Sequence, residues 1–223
     1  AHHPESGVLT PEVFLPEITK LNRMYDFTCL TIKLAIDDIK NKKIFQETNI
    51  TISINVAVNT FCSHHFLKDL KEITKGVSSN KLILEVLETE EIEDKTDFLI
   101  MASRARMLGF GLSIDDFGSG YSNLNRLSKM PFTELKIDKQ YIVDLLKSDK
   151  NLKIVQGIIL MAKSLEIKIV AEGVETEAIV RKLTSLGVDE LQGYYFSPPL
   201  SFFSLKDFTL PKSMLNLIKV NNI

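Results

Sequence analysis

Ten residues of this chain have side chains suited to polar chemistry and stand where such side chains are costly. They are Asn55, Glu85 with Glu88, Asp115 with Asp116, Lys136 with Asp138, Glu172 with Glu175, and Gln192. Each lies at or near the C-terminal end of a short apolar segment that reads as a β-strand. A charge in an apolar strand is expensive to bury unless it is paired or bound to a metal. One such residue is an accident, but its repetition in strand after strand points to one site where the strand ends converge.

The sharpest local signal is Asp115-Asp116-Phe117-Gly118-Ser119-Gly120. Adjacent carboxylates repel unless a cation lies between them, and the glycines let the backbone turn tightly around such a site. A solvated turn with one aspartate capping the next helix is the competing reading. Glu85 shares a strand face with Ile83 and Leu87, so it points into whatever that face lines. Alone it reads as a buried glutamate paired with Lys136 or another base. Lys136 and Asp138 share a face and read as a salt bridge, Asn55 as a structural hydrogen bonder, and Glu175 as a helix-start acid. Taken together, oxygen donors at similar places on six strands suit a hard cation, magnesium or manganese. Zinc would call on His or Cys, and His2, His3, His64 and His65 all lie outside these strands. No Ser or Cys stands near a histidine at a strand end to form a nucleophilic triad. An acidic cleft attracts phosphate only once metals reverse its sign, so two-metal hydrolysis of a phosphodiester is the natural chemistry.

The elements that must position these groups alternate along the chain. Strands are expected at Thr51–Val56, Lys81–Leu87, Gly111–Ile114, Glu134–Ile137, Lys168–Ala171 and Glu190–Phe196. Helical spacing follows at Ser63–Thr74, Ile92–Leu108, after the glycine-rich turn through Leu124 and Leu127, in a long helix ending near Leu165, and at Glu177–Leu186. The first fifty residues read as two helices, with Pro11 at the first position of the first. This rhythm implies a parallel α/β sheet covered on both faces. Catalytic groups drawn from many strands favour a TIM-type (β/α)8 barrel over a doubly wound sheet, which gathers ligands at one switch point. A barrel of that class takes eight strands, and six are legible.

The chain has 223 residues, 44% hydrophobic and 25% charged, with net charge −2 and a pI near 6.1. That is a globular composition with room for one large core, and it argues against a nucleic-acid polymer or a membrane surface as partner. Its two cysteines, Cys29 and Cys62, make neither a disulfide framework nor a metal motif, which fits a cytoplasmic setting. No apolar stretch approaches the roughly 20 residues of a spanning helix.

These motifs resemble those of the EAL domain of bacterial cyclic di-GMP phosphodiesterases. The match runs in order over residues 1–223, read as a single domain, through the segment His3 to Pro16, Asn55-Val56-Ala57, Leu84-Glu85-Val86-Leu87-Glu88, Asp115 to Ser122, Leu135-Lys136-Ile137-Asp138, Ala171 to Thr176, and Gln192-Gly193-Tyr194-Tyr195-Phe196. The resemblance implies a modified TIM (β/α)8 barrel that linearises cyclic di-GMP to 5′-pGpG with magnesium or manganese, two ions per site, and calcium as inhibitor. It implies that Asn55, Glu85 and Asp115 hold one ion, and that Asp115 bridges to a second beside Asp116 and Glu172. Lys136 would orient or activate the attacking water. Asp138 and Gln192 would support water, metal and ligand. Glu88 and Glu175 would brace the loop after Asp116, near which a homodimer contact is expected.

The chain departs from the family pattern at its front. The Glu-Ala-Leu motif and a phosphate-binding arginine would precede His3, and neither is present. An N-terminal truncation that removes the first two strands accounts for the count of six, and an upstream regulatory domain is expected. The competing function is a catalytically silent EAL module that binds cyclic di-GMP or a partner protein as a sensor. A generic phosphate-metabolising barrel is a third.

Overall fold

The computed structural model describes residues 2, 3, 5, 7–41, 50–87, 95–119, 124–200 and 204. It opens with a minimal antiparallel pair, β1 (His2–His3) and β2 (Gly7–Val8). Two helices follow, α1 (Pro11–Lys20) and α2 (Met24–Asn41). Pro11 occupies the first turn of α1, where its missing N–H has no partner to lose.

The rest is strand and helix in alternation. β3 (Ile52–Asn55) leads to α3 (Val58–Phe61) and α4 (Phe66–Ile73). β4 (Leu82–Leu87) leads to α5 (Lys95–Met107), and β5 (Gly111–Phe117) to α6 (Leu124–Lys129). β6 (Glu134–Ile137) is followed by α7 (Lys139–Val143) and α8 (Asp149–Ser164). β7 (Lys168–Ala171) is followed by α9 (Glu177–Leu186) and β8 (Glu190–Leu191). The six strands β3 to β8 form one all-parallel sheet in sequence order. This is a curled half-barrel, a partial TIM barrel.

The two faces of the sheet differ in kind. Leu82, Leu84 and Val86 of β4, Leu112 and Ile114 of β5, Leu135 and Ile137 of β6, and Ile169 and Ala171 of β7 are all essentially inaccessible. They join Phe61, Phe66, Phe98 and Phe132 and the buried positions of the helices in one core. Each large side chain buried this way stabilises the fold by roughly 1.5–3 kcal/mol before entropy is set against it. The alternate positions carry Asn55, Glu85, Ser113, Asp115, Glu134, Lys136 and Lys168 among Ile83, Leu87 and Val170, so the polar groups of the sheet are gathered on the other face. Helix ends are set locally: Thr176 caps α9 through the Ile179 amide, and Gly187 ends it at φ 80°.

Three expectations change. β5 does not stop at Ile114 but continues through Asp115, Asp116 and Phe117. The last strand is only Glu190–Leu191, because Gly193 lets the chain turn against Val174, whose carbonyl accepts from the Tyr195 amide. The long helix ending near Leu165 is two helices, since Asp144 ends α7 and Ser148 starts α8 by accepting from the Asn151 amide. Among the described residues, no helix is long and apolar enough to cross a membrane.

Candidate metal centre

The site rests on an irregularity of β5. Its register against β6 runs Ile114 opposite Leu135 and then Phe117 opposite Ile137. Three steps on β5 therefore match two on β6, which is a β-bulge at Asp115–Asp116. Asp116 adopts φ 53°, a left-handed conformation that aspartate tolerates better than most residues. In a regular strand, adjacent side chains point to opposite faces. Here the bulge brings both carboxylates to one place: oxygens of Asp115, Asp116 and Glu172 lie within 4.8 Å of one another. The Asp116 amide donates to Asp115 Oδ1 at 3.1 Å.

Lys136 stands opposite the bulge. Its Nζ lies 2.6 Å from Glu172 Oε1, 3.0 Å from Asp115 Oδ1 and 3.3 Å from Glu85 Oε1. Lys136 and Glu85 are each 6% exposed and Asp115 8%, so these charges are held largely out of water. The register explains the meeting: Glu85 pairs with Ser113, Leu87 with Asp115, Lys136 with Val170, and Glu172 follows directly after β7. The paired-glutamate reading of Glu85 is thus realised, as part of a larger cluster.

The electrostatics show an unbalanced site. Among the described residues, one ammonium pairs with three carboxylates, those of Glu85, Asp115 and Glu172, and a fourth, Asp116, lies beside the last two. Burial pushes the Glu85 carboxyl above the usual range; Lys136 opposes this and Asp115 adds to it. Burial likewise raises Asp116, with Asp115 and Asp138 adding to the effect, and raises Glu172 against the pull of Lys136. Burial alone would lower Lys136, but Glu85, Glu172 and Asp115 outweigh it and hold the ammonium well above the ordinary lysine value. Oxygen-only donors, partly buried and short of positive charge, fit a hard divalent ion.

The remaining candidates divide. Asn55 is exposed and pairs in register with Glu85, next to the cluster. Asp138 is half-buried and caps α7, accepting from the Gln140 amide at 2.8 Å, and its charge is felt by Asp116. Gln192 is exposed; its backbone joins β7 to β8 by donating to Ala171 O and accepting from the Val174 amide. Glu175 is exposed just before the Thr176 cap. Glu88 lies outside the described residues. Sequence reasoning missed the bulge. Its only trace in the sequence is the Asp-Asp pair itself followed by Gly118, which sits at φ 100°.

The sequence profile of the EAL domain matches residues 1–199. The bifunctional diguanylate cyclase/cyclic di-GMP phosphodiesterase MucR of Pseudomonas aeruginosa is 33% identical over 207 residues, 89% of this chain and 29% of that protein. The cyclic di-GMP phosphodiesterase NbdA of the same organism is 32% identical over 209 residues, 92% of this chain and 27% of its own length. The chain therefore spans under a third of either relative. In structure, the P. aeruginosa MucR phosphodiesterase in complex with c-di-GMP superposes with a TM-score of 0.84 at 32% identity, covering 92% of this chain and 83% of that one. An EAL domain protein from Listeria monocytogenes gives 0.76 at 30% identity, covering 91% and 80%. By profile, sequence and fold, this chain belongs to the EAL domain family.

Proposed function

We propose that this chain hydrolyses cyclic di-GMP to 5′-pGpG in a reaction that needs magnesium or manganese. The observation that carries the reading is the charge deficit at the bulge, where three carboxylates converge on one buried ammonium and Asp116 adds a fourth beside them. Relatives named as cyclic di-GMP phosphodiesterases, one of them solved with c-di-GMP, supply the substrate.

Asn55, Glu85 and Asp115 would hold one ion, and Asp115, Asp116 and Glu172 a second. Bound there, the ions supply Lewis acidity and offset the charge of the phosphodiester. The chain's own residues do the rest. Lys136 carries a fixed positive charge beside Glu172 and Asp115, where it orients the attacking water and stabilises charge developing on phosphate oxygens. Glu172, paired with the Lys136 ammonium at 2.6 Å, holds that charge toward the water and the phosphate. Asp138 fixes the start of α7 and supports the site beside Asp116. Gln192 completes its rim, and Glu88 and Glu175 brace the loop after Asp116. Calcium inhibits, being larger and looser in geometry than in-line displacement requires. A homodimer contact near that loop, and regulation by segments outside this chain, belong to the same reading.

The test is direct. The full protein is incubated with cyclic di-GMP and manganese, magnesium, calcium or chelator, and the products are separated by chromatography. 5′-pGpG with manganese or magnesium, and none with calcium or chelator, is the expected result; undiminished turnover after metal stripping contradicts it. A second reading, a sensor that binds cyclic di-GMP without cleaving it, draws on Lys136 already neutralising part of the cluster. It predicts tight binding with no product in any metal.

A further inference from the structure

The geometry points to Tyr141 as a positioning residue for the metal centre: we propose that its hydroxyl, by tying the Gly118 carbonyl to α7, holds Asp116 in the conformation that turns its carboxylate toward Asp115 and Glu172. This rests on the divalent-cation reading given above.

The Asp115–Asp116 pairing depends on a backbone that resists relaxing. Asp116 sits at φ 53°, a left-handed conformation that a non-glycine residue keeps only where the surroundings hold it. Among the described residues, several contacts do so, two of them from α7 and its cap. The Asp138 amide reaches the Phe117 carbonyl at 3.4 Å, a long contact. Three residues on, the Tyr141 hydroxyl donates to the Gly118 carbonyl at 2.6 Å. The Ser119 amide closes the turn onto the Asp116 carbonyl at 3.1 Å. The tyrosine ring also lies against the glycine: a Cβ at Gly118 would come within 2.7 Å of Tyr141 Cε2, and Gly118 itself is at φ 100°. Ring and hydroxyl thus grip the backbone two residues past Asp116 by shape and by hydrogen bond. The Tyr141 hydroxyl bonds the Gly118 backbone, two residues past Asp116, so its effect passes through Asp116.

Tyr141→Phe keeps the ring and deletes only the hydroxyl. Tyr25→Phe is the control, since it deletes a comparable hydroxyl bond, 2.7 Å to Asp69, at the outer helices. Manganese affinity of the full protein is measured by calorimetry without substrate. The expected result is binding roughly 3–10-fold weaker in Tyr141→Phe, the worth of one hydrogen bond, and unchanged in Tyr25→Phe. Should either variant be destabilised, the rise in Tm at saturating manganese, read against its own metal-free Tm, gives the same comparison. Affinity within twofold of the parent in Tyr141→Phe overturns the proposal, as does an equal loss in Tyr25→Phe. Turnover of cyclic di-GMP by the parent is measured alongside. A parent that binds manganese without turnover leaves the role of Tyr141 standing and sinks the phosphodiesterase reading; a parent that binds no manganese overturns both.

Discussion

Loss of Lys136 leaves the buried carboxylates of Glu85, Asp115 and Glu172 without the ammonium they share. Breaking a buried ion cluster by removing one partner costs about 3–5 kcal/mol, because the charges left behind are uncompensated. Lys136→Met is therefore expected to lower metal-free stability by about that amount, and saturating magnesium to raise its Tm more than the parent's; denaturant and thermal melts with and without chelator check both. The raised carboxyls of Glu85, Asp116, Glu172 and Glu134 add a pH dependence. Each binds its proton more tightly folded than unfolded, so its stabilising contribution is fully present below the ordinary carboxylate value and is lost as pH rises through the raised one. In chelator, stability should climb as pH falls toward the ordinary carboxylate range, and the slope should shrink in Glu85→Gln. A slope of opposite sign, or one indifferent to Glu85, contradicts the assignment. At this scale the sequence was most legible. Glu85, Asp115, Lys136 and Glu172 stand out because each is a costly polar residue in, or at the end of, an apolar strand. Glu175 and Gln192 stand out on the same logic, and both are exposed.

Among the elements, α7 decides how Asp138 is understood. The residue both caps that helix and lends its charge to Asp116. Asparagine caps as well as aspartate, whereas alanine does not. Asp138→Asn should thus keep stability while lowering turnover if the charge is used. Asp138→Ala should lose about 1 kcal/mol as well. Equal turnover in Asp138→Asn and the parent would reduce the residue to a cap, and urea titration with steady-state assays separates these outcomes. The close packing where β8 leaves the sheet makes a second prediction. A Cβ at Gly193 would stand 2.2 Å from the Val174 carbonyl oxygen, with the backbone unable to yield cheaply. Gly193→Ala should cost on the order of 2–4 kcal/mol, read from its urea midpoint. Strand existence was legible at this scale because buried parallel strands are continuous apolar runs. Strand ends were not: the bulge that carries β5 on to Phe117 is a matter of register with β6, and the turn at Gly193 a matter of contact with Val174.

For the molecule as a whole, the parallel sheet explains why side chains distant in sequence can act together. Parallel pairing from β3 to β7 carries Asn55 beside Glu85, Leu87 beside Asp115 and Lys136 beside Val170, so acids and ammonium gather at one end of the strands. The alternation of elements made this topology readable in advance, and the expected six parallel strands are those observed. The central claim is that this cluster is a working hydrolytic centre rather than a buried ion-pair network. The most direct test compares the full protein with its Lys136→Met variant in manganese, measuring turnover and cyclic di-GMP affinity separately. A group acting on the attacking water and the developing charge speeds the chemical step without setting affinity. The account predicts a fall in turnover number of on the order of 10²-fold or more with affinity changed only a few-fold. Equal losses in both, or a parent that binds cyclic di-GMP tightly and never cleaves it, would contradict it.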